Sequence, residues 1–213
     1  MKAKCLLLTA AVMTAPVAFA ESDGFDKSTG APAGWTATMT GKGQPRWTVE
    51  KDPAAPSKPH VLKQSGEADY PLLLKDGSSL KDGFVEVKFK AVSGKEDQAA
   101  GVVWRARDKD NYYICRANAL ENNVVLYKTE NGKRSPIDIA GRKGGYGVKE
   151  PVPPQQWHTL RVDFAGDTFT VKLNGKELFK SSDSTFKDAG TAGLWTKADS
   201  VTLFDDFNCG AAK

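Results

Sequence analysis

Apolar and polar residues alternate along this 213-residue chain, and turn signals recur every several residues. Successive side chains of a strand point to opposite faces, so a period of two marks a half-buried strand. No stretch sustains a helical period. The alternation predicts strands at Trp35–Thr40, Arg46–Glu50, His60–Gln64, Gly83–Val92, Gly101–Arg107, Asn111–Ala117 and Asn123–Thr129. It continues through Trp157–Phe164, Thr168–Leu173, Thr191–Thr196 and Ser200–Phe207. Asn131-Gly132 and Asn174-Gly175 read as two-residue hairpin turns, because both central positions need positive φ and this pair tolerates it. The prolines of Asp52 to Pro59, and the glycines and prolines of Gly141 to Gln155, mark loops. With no repeat and no linker, the expectation is all-β: one antiparallel sandwich.

The first twenty residues stand apart. Lys2 and Lys4 precede an apolar or small run from Cys5 to Val17, and Ala18-Phe19-Ala20 has the form of a cleavage site. This reads as a secretory signal peptide, too short for a membrane anchor. The expectation is therefore a leader at 1–20, one domain at 21–213, and a periplasmic or secreted protein without membrane insertion. The formal charge of +4 falls to +2 when Lys2 and Lys4 are removed, too mild to argue for nucleic acid. Cys115 and Cys209 remain in the mature chain, either as a disulfide or as two buried thiols.

Strand parity directs attention to the stretch Asn111 to Lys128. If Arg107 faces Tyr112 across a hairpin, one face carries Val102, Trp104, Ala106, Tyr113, Cys115 and Ala117, a packed core. The other carries Val103, Arg105, Arg107, Tyr112, Ile114, Arg116 and Asn118. Arginines beside aromatics suit a polar, planar or hydroxyl-rich ligand. The alternative is a solvated face whose arginines pair with Asp108, Asp110 and Glu121.

The stretches "RARDKDNYYICRANALENNVVLYK", "WHTLRVDFAGDTFTVKLNGKEL" and "AGLWTKADSVTLFDDF" resemble the concanavalin A-like lectin/glucanase superfamily. Within it they are most similar to the bacterial 3-keto-disaccharide hydrolase domain. Arg116 to Asn123 and Trp195 to Asp199 carry the more specific part of the likeness. The resemblance implies a two-sheet jelly-roll sandwich whose concave sheet faces carbohydrate.

Sandwich glucanases carry Glu-x-Asp-x-x-Glu on one strand, since retaining hydrolysis needs two nearby carboxyls. That motif is absent. His60 and His158 have no nucleophile or zinc spacing around them, and His158 shares parity with core residues. Glu121 is the candidate general acid or base, or else a turn residue. Trp195 is read as core and Lys197 as the site candidate beside it. Asp205-Asp206 offers at most one oxygen ligand to Ca²⁺, because neighbouring strand residues face opposite ways. The candidate ligand-binding set is Arg105, Arg107, Arg116, Asn118, Asn123 and Lys197, with Glu121 the catalytic candidate. Three functions stay open: a carbohydrate-binding domain, a 3-keto-glycoside hydrolase working by general acid/base chemistry, and a non-catalytic domain with a protein partner.

Overall fold

The computed structural model describes residues 20–26 and 29–212, so of the expected leader only Ala20 lies inside the described residues. Among these residues no helix forms, and none therefore crosses a membrane. The chain opens with β1 (Glu21–Asp23), β2 (Trp35–Gln44), β3 (Trp47–Lys51), β4 (His60–Gln64), β5 (Glu67–Lys75) and β6 (Gly83–Ser93). There follow β7 (Ala99–Asp108), β8 (Asn111–Asn118), β9 (Asn123–Glu130), β10 (Lys133–Pro136) and β11 (Val148–Lys149). The last strands are β12 (His158–Ala165), β13 (Thr168–Leu173), β14 (Lys176–Ser182), β15 (Thr191–Trp195) and β16 (Val201–Ala211). Two antiparallel sheets result. One runs β14-β13-β12-β6-β16-β4-β3 with β1 added on β16; the other runs β10-β9-β8-β7-β15-β5-β2 with β11 added on β9. This is the all-β jelly-roll sandwich that the sequence predicts.

The core lies between the sheets. Val85, Val87 and Phe89 of β6 and Leu160, Val162 and Phe164 of β12 meet Val102 and Trp104 of β7 and Tyr113, Cys115 and Ala117 of β8. Trp104 packs at 5.5 Å from Tyr113, 5.9 Å from Phe164 and 5.3 Å from Phe169, measured between ring centroids. Each such buried ring contributes about 1.5–3 kcal/mol. His158 is the core histidine that its parity predicts, its ring against Phe89 and its Nε2 2.9 Å from the Pro153 carbonyl. Cys115 and Cys209 are buried in this core and are not bonded to one another. Burial pushes the Cys115 thiol pKa up.

β1, β5, β10, β11 and β14 are absent from the strands expected above, and β11 lies within the expected loop Gly141 to Gln155. Pro71 interrupts the β5 pattern, yet it lies just past the last pair with β15, Leu72 with Trp195, where a missing N–H costs no ladder bond. The two Asn-Gly turns form as expected, with φ of 51° and 76° at Asn131 and Gly132 and of 51° and 80° at Asn174 and Gly175.

The β7–β8 hairpin departs from the expected register. Asp108 pairs with Asn111 around a two-residue turn, but deeper in the sheet Trp104 pairs with Tyr113 and Val103 with Ile114. A bulge at Arg105, φ 49°, takes up the slip. Faces hold on both sides of a two-residue slip but not inside it. Ala106 therefore turns to the outer face of its sheet and Arg105 to the core side, the reverse of the expectation for both. The Arg105 guanidinium is 1% exposed. It donates to the carbonyls of Lys81 (2.8 Å), Phe186 (2.9 Å) and Gly166 (2.7 Å) and lies over the rings of Phe164 and Phe169. Arg107 sits at the rim, half-exposed, over Phe186 and 3.4 Å from Asp188.

This outer face is also less open than expected. Val103, Tyr112, Ile114, Val125, Tyr127, Leu72 and Trp195 form a second buried cluster on it. Thr40 reaches across from β2 to bond the Tyr112 hydroxyl (2.9 Å) and the Lys109 carbonyl. Arg134 of β10 roofs the cluster, its guanidinium carbon 4.4 Å from the Tyr127 ring, 4.8 Å from Tyr70 and 5.4 Å from Trp195. Trp195 is thus buried, but against Tyr70 on the outer face rather than between the sheets.

The bulge makes a stability prediction. Arg105→Ala strands three buried carbonyls and should cost roughly 3 kcal/mol or more in urea denaturation, whereas Arg107→Ala should stay within about 0.5 kcal/mol. Equal costs would contradict the assignment of the two arginines to buried and exposed positions.

Candidate functional site

Two asparagines shape the turn from β8 to β9. Asn118 pairs with Asn123 to close it, and the Asn118 side-chain oxygen accepts the N–H groups of Leu120 (2.9 Å) and Glu121 (3.3 Å). Asn122 takes the left-handed conformation, φ 48°, and its side-chain oxygen accepts the Val152 N–H. The turn so held throws Glu121 back over the end of β8.

Arg116 waits there, its side chain 1% exposed. Its Nη1 donates to Asn123 Oδ1 (2.6 Å), and its Nη2 donates to Glu121 Oε2 (2.9 Å), Tyr146 (2.9 Å) and Tyr127 (3.2 Å). A buried cation is tolerable only when paired and hydrogen-bonded, and this one is both. Asn123 Nδ2 also donates to Glu121 Oε2 (2.9 Å). Glu121 Oε1 meets Asn118 Nδ2 at 3.3 Å. The same Asn118 amide donates to Asp97, which is 2% exposed and receives the ammonium of Lys197. Asp199 holds the Asp97 segment by accepting the N–H groups of Glu96 (3.1 Å) and Asp97 (3.0 Å). A continuous polar chain results: Lys197, Asp97, Asn118, Glu121, Arg116 and the two tyrosines.

Glu121 and Tyr146 are the open members, the Glu121 side chain 39% exposed. Partial burial alone would raise its pKa. The hydrogen bonds from Arg116 and Asn123, with the charges of Arg116 and Lys197, outweigh that and hold the carboxyl below the usual range. At neutral pH it is a carboxylate, able to accept a hydroxyl hydrogen bond or a proton. Beside the chain lies a recess of about 950 Å³ whose lining includes Tyr70, Asp69, Glu96, Lys42, Arg46 and Lys197.

Of the predicted site residues, Arg116, Asn118, Glu121, Asn123 and Lys197 come together, whereas Arg105 and Arg107 lie elsewhere for the reason given above. Asp97, Tyr127 and Tyr146 join them unforeseen. Tyr127 was within reach of parity, since Asn123, Val125 and Tyr127 share a face and Val125 pairs with Arg116. Tyr146 comes from a glycine-rich loop and left no periodic signal. Asp205 and Asp206 take no part. Asp205 is buried and bound to Ser57 at 2.6 and 2.8 Å, its pKa raised by burial, and Asp206 pairs with Lys88 at 2.7 Å. Among the described residues no group of three or more His, Cys, Asp or Glu side chains is arranged to hold a metal ion.

A family model described as the 3-keto-alpha-glucoside-1,2-lyase-like domain matches residues 24–207. Similar solved structures include the carbohydrate binding module CBM66 from Bacillus subtilis, with 23% identity, 82% of this chain and 93% of that one covered, and a TM-score of 0.64. The Bacillus licheniformis beta-glucanase covers 91% of this chain and 98% of its own at 10% identity and TM-score 0.59. A Bacteroides ovatus GH16 from a mixed-linkage glucan locus covers 89% and 99% at 12% identity and TM-score 0.60. At these identities the likeness concerns the fold. No curated protein matches the chain in sequence.

The geometry predicts an acidic Glu121. Followed by carboxyl ¹³C shifts, its titration should have a midpoint below the ordinary value of about 4.3. Folded-state stability gained from this depressed pKa is present above the unfolded value and lost as pH falls through the folded one. Arg116→Gln should move the midpoint upward; an unmoved midpoint would contradict the cause assigned to it.

Proposed function

The chain belongs to the family of 3-keto-alpha-glucoside-1,2-lyase-like domains, and on that premise we propose that it binds a glycoside at the Arg116–Glu121 corner and cleaves 3-keto forms by elimination. The observation that carries this reading is Glu121 itself: a half-open carboxylate, ionised at neutral pH, held by three side-chain donors. Leu120 and Tyr146 support it as the exposed large hydrophobics among the described residues. One adjoins Glu121 in the chain and the other bonds Arg116. Apolar faces beside fixed hydrogen-bonding groups suit a sugar ring.

A ketone acidifies the hydrogen on the carbon next to it. Glu121 accepts that proton, and the freed electron pair forms an enolate with its charge on the former ketone oxygen. Lys197, one-quarter exposed, is the cation suited to hold that charge. As the ketone re-forms, a double bond grows to the anomeric carbon and the glycosidic bond breaks, its electrons leaving on the aglycone oxygen. One base suffices, which suits a chain without paired glucanase carboxyls. A second reading, binding without turnover, is favoured by the same depressed pKa, because it makes Glu121 a weaker base.

Calorimetry and product analysis with methyl α-glucopyranoside and its 3-keto derivative separate these readings. Both sugars should bind, and the keto sugar alone should be consumed. Glu121→Gln should slow consumption by about 100-fold or more with little change in affinity. A base works on the alkaline side of its pKa, so kcat/KM should be flat from about pH 5 to 7 and fall only below the ordinary carboxylate range near 4.3. Binding without consumption would leave the binding-only reading; binding of neither sugar would overturn both.

A further inference from the structure

Elimination leaves one group unprovided for. The departing aglycone oxygen must take up a proton, and when the aglycone is another sugar or a simple alcohol the alkoxide is too basic to leave without one. Around Glu121 most candidates are disqualified. Arg116 does not give up a proton at any accessible pH. Lys197 is engaged with Asp97. Tyr127 is 2% exposed, and burial pushes its pKa up.

Tyr146 is the exposed hydroxyl-bearing residue of the corner. It is 47% exposed, and its hydroxyl takes a hydrogen bond of 2.9 Å from the same Arg116 Nη2 that bonds Glu121 at 2.9 Å. Base and hydroxyl therefore share one nitrogen, on the same side of the corner. The Tyr127 hydroxyl also bonds that of Tyr146. With two neighbours able to donate to its oxygen, the Tyr146 proton is left for a third partner. The guanidinium is already in place to meet negative charge developing on the phenol oxygen as the proton departs. The loop is built to deliver this group. Gly147, φ 60°, runs so close to β9 that a Cβ would come within 2.1 Å of the Val124 carbonyl oxygen, so only glycine lets the preceding tyrosine reach Arg116.

We infer that Tyr146 is the proton donor to the leaving oxygen, required where the aglycone is an alcohol, a second sugar among them, and dispensable where it is an acidic phenol. The inference rests on the elimination reading above. In the full step Glu121 takes the proton from carbon, the enolate expels the aglycone, and Tyr146 protonates it. Solvent then carries a proton from the Glu121 carboxyl back to the Tyr146 phenolate. The atoms balance to one unsaturated keto sugar and one free alcohol, with no oxidant or reductant required.

The test compares Tyr146→Phe with the parent protein on two probes, methyl 3-keto-α-glucopyranoside and its 4-nitrophenyl counterpart. Nitrophenolate leaves unassisted, so the variant should lose about 100-fold in kcat on the methyl glycoside and less than about 3-fold on the nitrophenyl one. KM should hold for both, and any stability lost with the hydrogen bond to Arg116 affects both probes alike. Equal losses on both probes, or none on either, would overturn the role of Tyr146 while leaving elimination standing. A parent protein that turns over neither probe would overturn elimination and this inference with it.

Discussion

A guanidinium with 1% of its side chain exposed sets the terms for everything around the candidate site. Water does not solvate Arg116, so protein groups must, and each one recruited brings a piece of chain with it. Asn123 and Glu121 fix the turn after β8, Tyr127 ties in β9, and Tyr146 ties in a loop that otherwise runs over the surface. The same requirement gives Glu121 its character. A glutamate at the tip of a hairpin would ordinarily be a solvated turn residue; beside Arg116 it becomes a directed carboxylate held below its usual pKa. Structure and chemistry at this corner have one cause.

That cause lies at the rim because the middle of this sheet's outer face is filled. Tyr112, Ile114, Val125, Tyr127 and Trp195 bury one another there, and Arg134 lies across their rings. Thr40 joins the opposite edge by bonding Tyr112. Arg134 binds its place through ring faces, whereas Arg116 does so mainly through directed hydrogen bonds, and only Arg116 holds a half-open acid. A trough of the kind the sequence suggested is therefore replaced by a second small core, with the polar chain from Lys197 to Tyr146 along its edge.

Period two made most of the sandwich legible, because alternation is a property of each strand alone. It also placed Arg116 and Asn118 on the outer side of β8. What it misjudged were events between strands. Nothing in "VVWRARDKD" distinguishes a regular hairpin from one with a bulge at Arg105, since the slip is decided by packing of the guanidinium under Phe164 and Phe169 and by three distant carbonyls. Two candidate arginines were misplaced for that reason. Asp97 and Tyr146 were illegible for another: both reach the site from loops, whose course depends on partners far away in sequence, Asp199 for one and Arg116 for the other. Glu121, Asn123 and Lys197 were singled out mainly through the family resemblance rather than through spacing.

The central claim is that a glycoside lands on the corner organised by Arg116. Hydrogen exchange measured with and without methyl 3-keto-α-glucopyranoside tests it most directly, because it reads location without requiring turnover. The account predicts slowed exchange in Arg116 to Asn123 and in Gly141 to Lys149, with β6 and β12 unchanged. Protection confined to the sheet of β6 and β12, or absent from both segments at a saturating concentration, would contradict it.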